Sequence, residues 1–272
     1  MLAELFGLDG KVALITGGGS GIGAMMAEGF AAAGARVIIC SRNVHRVNGM
    51  AEEINARATP GKVEAFPGDV GTEDGIEAIV AAVKSRTGTL NILVNNAGIS
   101  RGAPLGAFPY SAFEKVMGVN VAGLFHLTQK LLPLLAATAT QDDPARVLNL
   151  GSVMGKHPLG DGAYSYSASK AAVHHLTAIL AKELAAQRVT VNALAPGPFR
   201  SRMTAFATGT EEQAAAVGGD VPLGRIGAPS DIQGAALFLC SRAGRYVTGA
   251  ILPLDGGVHV MTGGNLFAAA MR

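Results

Sequence analysis

The sequence has 272 residues, a length that suits one large α/β domain or two small ones. Hydrophobic residues make up 49% of the chain, which is enough for a large buried core, whereas the formal net charge of +2 is too small to favour a nucleic-acid or membrane-surface partner. Aromatic residues make up only 5%, with no tryptophan, which also argues against a surface that stacks nucleic-acid bases.

Short, β-branched apolar runs alternate with longer, alanine-rich segments along the chain. This alternation is typical of β-α-β units and predicts a parallel sheet with helices on both faces. We therefore expect one doubly wound, Rossmann-type α/β domain of three layers (α/β/α) over residues 1–272. The predicted strands cover residues 11–16, 36–40, 63–67, 91–95, 146–151, 189–194 and 250–254. The predicted helices cover residues 21–33, 44–57, 72–87, 111–137 and 163–186.

A glycine-rich turn joins the first predicted strand to the first long helix. Glycine permits positive φ and close approach of a phosphate, and the helix N-terminus supplies unpaired N–H groups. The position of the turn between strand and helix predicts a dinucleotide site rather than a merely structural turn. The predicted contacts in this turn are Gly17, Gly19, Ser20, Gly21, Ile22 and Gly23.

The end of the second predicted strand indicates which dinucleotide is bound. An NAD-binding fold usually has an acid there to accept a hydrogen bond from the ribose 2′-hydroxyl. Here the chain continues as Ser41, Arg42 and Asn43, with no carboxylate. A hydroxyl and a guanidinium suit a 2′-phosphate, so the sequence predicts NADP(H), with a solvated surface arginine as the alternative.

Ser152 directly follows the predicted strand 146–151. The carboxyl end of a parallel strand points into the ligand crevice, so this hydroxyl can donate a hydrogen bond to a substrate carbonyl. A serine after a strand is also a common turn or helix-cap residue, which is the alternative.

A tyrosine and a lysine stand four residues apart at the start of the predicted helix 163–186. Positions i and i+4 share a helix face, so Tyr166 and Lys170 can reach one site. A nearby lysine cation, together with the positively charged oxidised nicotinamide, would lower the tyrosine pKa from about 10 towards the working pH, which predicts Tyr166 as an acid/base. Tyr164 is six residues from Lys170, so we expect it to form a pocket wall instead.

The segment 196–229 is long for a loop between a strand and the next helix, and loops of this length are usually functional. Its apolar side chains Phe199, Met203 and Phe206 could close over an acyl or alkyl group. We expect residues 197–228 to form a mobile substrate lid, the alternative being a rigid excursion packed on the core.

Together these motifs resemble those of the short-chain dehydrogenase/reductase family over nearly the whole chain. The resemblance implies an NADP(H)-dependent oxidoreductase that acts on a ketone or a secondary alcohol. Further matching positions are Asp69, Val70, Asn95, Asn96, Ala97, Gly98, Asn120, Pro196, Gly197, Asp255, Gly256 and Gly257. The resemblance implies that nine of the residues named so far contact the cofactor: Asp69, Val70, Asn96, Ala97, Gly98, Tyr166, Lys170, Pro196 and Gly197.

The resemblance also implies individual roles. Asp69 and Val70 would hold the adenine, Lys170 would bond to the nicotinamide ribose, and Asn120 would anchor a water that relays protons through Lys170. It further implies a homotetramer in which the helices 111–137 and 163–186 are buried at an interface.

Within the family, the segments 144–152, 180–184 and 201–204 resemble 3-oxoacyl-thioester reductases, particularly those of the rhamnolipid pathway. Two departures are Ser20, where many such reductases have arginine, and an extended tail after Gly257. Arg200, Arg202 and Arg225 could serve an acyl-carrier protein, or could be ordinary surface charges. The predicted substrate contacts are Ser152, Met154, His157, Tyr164, Phe199, Met203 and Phe206.

Two other functions stay open at this point. One is a broad-specificity carbonyl reductase or secondary alcohol dehydrogenase for a bulky ketone, a steroid or a polyol. The other is a non-catalytic NADP-sensing or scaffolding protein, which the intact set of Asn120, Ser152, Tyr166 and Lys170 disfavours. An enoyl reductase is disfavoured because the related enzymes of that kind space the tyrosine and lysine more widely.

Cys40 and Cys240 lie far apart and in no Cys-x-x-Cys pair, which indicates two buried thiols and no metal site, with one long-range disulfide as the alternative. Residues 1–11 carry acids and no basic region, so they do not resemble a signal peptide. No stretch approaches about 18 uninterrupted apolar residues. We therefore expect a soluble, cytoplasmic protein.

Overall fold

Seven parallel strands form the centre of the structure, a computed structural model that describes residues 2–159 and 162–261. In chain order, β1 to β7 are Val12–Thr16, Arg36–Ser41, Lys62–Pro67, Ile92–Asn95, Ala145–Leu150, Val189–Pro196 and Ile251–Leu254. Their order across the sheet is β3-β2-β1-β4-β5-β6-β7. The predicted single, Rossmann-type domain is confirmed, and each predicted strand end lies within two residues of the observed one.

Helices cover both faces of this sheet. In chain order, α1 to α10 are Leu2–Phe6, Gly21–Ala32, Val44–Ala56, Glu73–Arg86, Tyr110–Met117, Leu124–Thr138, Tyr164–Leu184, Ala205–Thr208, Glu211–Gly219 and Pro229–Cys240. The predicted helix 111–137 is divided, because Gly118–Gly123 winds as a π-helix between α5 and α6. The segment 196–229, predicted as irregular, contains α8 and α9.

Alternating strand residues divide the core into two layers. On one face, α2, α3 and α10 pack against side chains such as Ile15 of β1, with Phe30 fully buried between them. On the other face, α4, α6 and α7 pack against the neighbouring Leu14 and contribute residues such as Leu131. Both faces are therefore sealed from water, and only the ends of the strands remain open for a ligand.

The connections reverse direction between β1 and β4, which are neighbours although two strands separate them in sequence. In open α/β sheets, ligands bind in the crevice at such a switch point, outside the carboxyl ends of the strands. Here that crevice lies beyond Thr16, Asn95 and Leu150, the last residues of β1, β4 and β5.

Among the described residues, no helix has both the length and the apolar character needed to cross a membrane. The extended tail after Gly257 falls largely beyond residue 261 and so lies outside the described residues.

Candidate active site

A cavity of about 750 Å³ opens at the carboxyl ends of the strands. Every residue that the sequence analysis predicted as a cofactor contact lines it, from Gly17 in the glycine turn to Gly197 after β6. Ser152, Tyr166 and Lys170 line the same cavity. The topology therefore brings the predicted nucleotide contacts and three of the four predicted catalytic side chains to one place.

The glycine turn is fixed tightly against the end of β4. Thr16 Oγ1 accepts hydrogen bonds from the N–H groups of Asn96 and Ala97, at 3.1 and 3.0 Å, and Asn96 Nδ2 donates to Thr16 O at 2.8 Å. Gly17 has φ +68°, and a Cβ there would lie 2.8 Å from Asn96 Nδ2. A Cβ on Gly23 would overlap the same amide. Side-chain-free backbone thus forms the floor of the cavity, as close approach of a diphosphate requires.

Basic side chains occupy the end of the cavity beside β2. Ser41 and Arg42 line it, as predicted, and so does Arg46 in the first turn of α3, which the sequence analysis missed. Asn43 caps α3 by accepting a hydrogen bond from the Arg46 N–H at 2.9 Å. The start of a helix directly after β2 was the sequence signal that would have placed Arg46 here. Two guanidiniums and a hydroxyl, with no carboxylate between residues 41 and 46, fit a 2′-phosphate.

Tyr166 enters the cavity from the first turn of α7. Burial raises the pKa of its phenol above the usual value, and the neighbouring Ser152 hydroxyl lowers it by a smaller amount. Lys170 by itself therefore does not lower the pKa of Tyr166, and the joint effect of Lys170 and an oxidised nicotinamide stays a prediction. The Lys170 ammonium lies 5.6 Å from the centre of the tyrosine ring and donates its hydrogen bond elsewhere, so burial dominates.

Lys170 is almost fully buried, and its Nζ donates to Leu150 O at 2.6 Å. Burial lowers the pKa of this ammonium to about 8. A lysine with a pKa so near neutrality can release and regain a proton under physiological conditions. The geometry and the pKa together fit a proton carrier beside the tyrosine.

Ser152 both caps a turn and faces the cavity. Its Oγ accepts a hydrogen bond from the Met154 N–H at 3.2 Å, so the turn role set as the alternative does exist. That bond uses an oxygen lone pair, so the hydroxyl proton can still be donated, and in this structure it is directed to Tyr166, whose pKa this hydrogen bond lowers. The capping bond therefore leaves the Ser152 proton able to turn from the Tyr166 oxygen to a substrate carbonyl.

The backbone of Ser152 rests on a histidine in α7. The Ser152 N–H donates to His174 Nε2 at 3.4 Å, and the ring fills the space beside Gly151 and Gly155. A Cβ on Gly155 would lie 2.7 Å from His174 Cε1, and one on Gly151 would overlap His174 Nε2. Burial lowers the pKa of His174, and the charges of Lys170 and Lys156 lower it further. Nothing in the sequence had indicated this role for His174.

Asn120 lies in the π-helical segment Gly118–Gly123, behind the cavity wall rather than on it. Its Oδ1 accepts from the Ile99 N–H at 2.8 Å, while Nδ2 donates to Ile99 O at 2.9 Å and to Ser169 Oγ at 3.0 Å. Both Nδ2 hydrogens are thus engaged. A Cβ on Gly98 would lie 3.3 Å from Asn120 Oδ1 and 3.7 Å from Lys170 Nζ, so this glycine of the cavity lining lies against both side chains.

The predicted substrate contacts divide into two groups. Besides Ser152, the cavity is lined by Phe199, which is 2% exposed, and Met203, which is 42% exposed. The remaining four residues are not part of its lining as described: Met154, His157, Tyr164 and Phe206.

Three of those four have identifiable surroundings. The Tyr164 ring packs edge-on against Phe108, with the ring centres 5.6 Å apart. The His157 ring lies 6.3 Å from that of His259, and its Nε2 is buried with no hydrogen-bond partner in the described part of the chain. Phe206, in α8, is 84% exposed.

Cys40 and Cys240 are free and buried, as expected, and burial raises the pKa of each thiol to about 12. Among the described residues, no cluster of three or more histidine, cysteine, aspartate or glutamate side chains could hold a metal ion.

Comparison with known proteins identifies relatives over nearly the whole chain. A family model described as enoyl-(acyl carrier protein) reductase matches residues 17–259. The rhamnolipids biosynthesis 3-oxoacyl-[acyl-carrier-protein] reductase of Pseudomonas aeruginosa is 44% identical over 94% of this chain and 98% of that protein. A galactitol 2-dehydrogenase (L-tagatose-forming) of Cereibacter sphaeroides is 39% identical over 94% of this chain and 98% of that protein. The structure of the Pseudomonas aeruginosa RhlG/NADP active-site complex superposes with a TM-score of 0.90 at 43% identity, covering 94% of this chain and 99% of that one.

Proposed function

Because the chain belongs to the short-chain dehydrogenase/reductase family, we propose that it is an NADPH-dependent reductase of 3-oxoacyl thioesters. The observation that carries the proposal is the meeting of Ser152, Tyr166 and Lys170 at one cavity, beside a nucleotide floor of glycines. A hydrogen-bond donor, a phenol and a buried ammonium are the groups that reduction of a carbonyl requires.

The residues lining the cavity fit NADP(H) along its length. The glycine turn from Gly17 to Gly23 and the N-terminus of α2 would hold the diphosphate. Ser41, Arg42 and Arg46 would hold the 2′-phosphate, and Asp69 would lie at the adenine. When bound, NADPH supplies the hydride that reduces the substrate carbonyl carbon.

The protein side chains then manage the oxygen and the proton. Ser152 donates a hydrogen bond to the carbonyl oxygen as negative charge develops on it. Tyr166, whose raised pKa keeps the phenol protonated, delivers its proton to that oxygen. Lys170, with a pKa of about 8, resupplies the proton. Asn120 positions the wall behind Lys170, with both of its Nδ2 hydrogens engaged, and is the proposed anchor of a relay water.

A thioester substrate is supported by the identity with the Pseudomonas aeruginosa reductase and by the apolar side chains of the segment 197–228. We propose that this segment closes over the acyl chain, with Phe199 and Met203 as its inner wall. Phe199 is also packed against Gly227, so its buried ring anchors the base of the proposed lid.

A polyol or broad ketone dehydrogenase is the second candidate, favoured by the 39% identity with the galactitol 2-dehydrogenase. The same Ser152, Tyr166 and Lys170 serve that reaction, and only the pocket differs. A non-catalytic role would not explain why Asn120, Ser152, Tyr166 and Lys170 are all present.

The proposal extends to assembly and location. Phe113, Phe125 and Ile179 expose apolar side chains on α5, α6 and α7, the helices expected at a homotetramer interface. Free, buried Cys40 and Cys240 suit a reducing cytoplasm. Light scattering of the purified protein would measure its mass, and a Phe125→Glu variant would dissociate if α6 is at the interface.

The deciding experiment measures kcat/KM with NADPH for 3-oxoacyl thioesters of increasing length, a compact bulky ketone and a 2-enoyl thioester. We expect kcat/KM to rise about fourfold per buried methylene among the 3-oxoacyl thioesters, since each CH₂ contributes about 0.8 kcal/mol. The 2-enoyl thioester should be inert. A preference for the compact ketone with no trend in chain length would favour the second candidate.

A further inference from the structure

The proposed lid contains three arginines, and the structure separates one of them from the other two. Arg200 is paired with Glu211 at 2.8 Å, and Arg225 is paired with Asp231 at 2.6 Å, so both are held by carboxylates of neighbouring helices. Arg202 has no hydrogen bond or ion pair within the described chain, and it lines the cavity. It is therefore the arginine of this segment whose charge is available to a ligand.

Arg202 follows a residue that touches the start of α2. A Cβ on Gly21, the first residue of that helix, would lie 3.1 Å from Ser201 Cβ. Ser201 is itself fixed, since its N–H donates to Thr204 Oγ1 at 3.1 Å. The lid therefore meets the sheet domain at the helix N-terminus where a diphosphate would bind, and Arg202 is one residue from that contact.

The cations around the cavity occupy different parts of it. Arg42 and Arg46 follow β2 at the adenosine end, and Lys170 is bound to Leu150 O at the end of β5. The glycine turn between them, residues 17–23, contains no lysine or arginine. Arg202 is the remaining cation in the cavity lining as described.

We propose that Arg202 binds the diphosphate of the dinucleotide and so links the lid to cofactor binding. The inference rests on the proposed function only in that a dinucleotide occupies this cavity. A guanidinium matches the paired oxygens of a phosphate and forms charge-assisted hydrogen bonds stronger than those of neutral donors. The lid thus supplies the cation that the turn lacks, and it is held closed while the nucleotide is bound.

The test is a fluorescence titration that gives the Kd of NADPH and of NADH separately. Because both nucleotides carry the diphosphate, Arg202→Ala should weaken both by the same factor, roughly 10- to 100-fold. Arg200→Ala is the matched control, since Arg200 lies in the same segment but is paired with Glu211, and it should change neither Kd. An Arg202→Lys variant should recover part of the loss, because it keeps the charge.

Two results would overturn the inference directly. Unchanged affinities in Arg202→Ala would mean that the guanidinium is a surface charge. Loss of NADPH affinity alone would place Arg202 at the 2′-phosphate. A wild-type protein that binds neither nucleotide would contradict both this inference and the proposed function, whereas one that binds both but reduces no carbonyl would contradict the proposed function alone.

A phosphate could also come from the substrate, as the phosphopantetheine of a coenzyme A thioester. At saturating NADPH, we therefore compare KM for a 3-oxoacyl coenzyme A with KM for the matching N-acetylcysteamine thioester, which has no phosphate. Arg202→Ala should affect the two alike. A rise confined to the coenzyme A substrate, with unchanged nucleotide affinity, would assign Arg202 to the substrate and reject the proposal.

The proposed link between the lid and nucleotide binding can be measured separately, by limited proteolysis. Phe206 is 84% exposed in α8, three residues before Gly209, and offers a site for chymotrypsin. Saturating NADPH should slow chymotrypsin cleavage at Phe206 in the wild type. It should not slow this cleavage in Arg202→Ala when both proteins have the same NADPH occupancy. Equal protection of the two proteins would show that Arg202 does not link the lid to the nucleotide.

Discussion

At the scale of single residues, burial determines the proton chemistry of the site. The Tyr166-to-Lys170 spacing predicted that the two side chains share a helix face, and both do line the cavity. The spacing did not indicate that burial would raise the pKa of Tyr166, because it gives the neighbour of a group but not the depth at which the group is buried. In the reductive direction a raised pKa is useful, since the phenol must arrive protonated.

The pH dependence of reduction follows from Lys170. Its pKa is lowered to about 8, so the ammonium that resupplies Tyr166 is present below pH 8 and is lost as the pH rises through that value. We expect kcat for ketone reduction, measured at saturating substrate and NADPH, to fall by about tenfold per pH unit well above 8. A rate that stays constant from pH 7 to 10 would exclude Lys170 as the proton donor.

We propose that the side chains after β2 determine the preference for NADPH over NADH. Arg42→Ala should weaken NADPH roughly 10- to 100-fold and leave NADH unchanged, because a charge-assisted hydrogen bond to the 2′-phosphate contributes about 1.5–3 kcal/mol. Adding Ser41→Asp should reverse the preference by repelling that phosphate. Separate titrations of the two nucleotides check this. If the wild-type protein binds NADH as tightly as NADPH, Arg42 does not bind the 2′-phosphate and is an ordinary surface charge.

At the scale of elements, one helix that was not predicted begins with a recognisable sequence pattern. Thr210 and Gln213 form a capping box at the start of α9, and this Thr-x-x-Gln pattern is legible in the sequence. It would have placed a helix inside the segment 196–229. The π-helical turn at Gly118–Gly123 had no such signal, because the apolar periodicity continues through it and only tertiary contacts of Asn120 distinguish it.

The contact between the end of β5 and α7 gives a prediction about stability. Gly151→Ala would push a Cβ into His174, and overpacking of this kind costs about 1–3 kcal/mol of unfolding free energy. Adding His174→Ala removes the obstructing ring, so the double variant should recover part of that loss. Denaturant unfolding of both single variants and the double variant measures the coupling. Gly49→Ala in α3, whose Cβ meets nothing within 4 Å, is the control and should not destabilise.

If Gly151→Ala and His174→Ala destabilise the protein additively, the ring and the glycine are not coupled. The destabilisation by Gly151→Ala would then come from other neighbours of Gly151, such as Leu194 O, which a Cβ would approach to 3.1 Å.

At the scale of the whole molecule, the alternation of short apolar runs and helices was sufficient to predict the architecture. Parallel strands place their carboxyl ends at one edge, so motifs separated by more than 100 residues, such as Gly17 and Tyr166, could be expected to meet. The substrate wall was less predictable. Tyr164 and Phe206 were chosen by their position in sequence, whereas the direction of each side chain depends on the packing of Phe108 and on the exposed face of α8.

The central claim is that this cavity reduces a carbonyl with Tyr166 as the acid. The most direct measurement is single-turnover NADPH oxidation by a 3-oxoacyl thioester, with wild type, Tyr166→Phe and Tyr164→Phe compared at equal NADPH occupancy. The account predicts a loss of roughly 10²- to 10⁴-fold in Tyr166→Phe with NADPH affinity little changed, and a mild effect in Tyr164→Phe. Comparable rates in the wild type and Tyr166→Phe would contradict it.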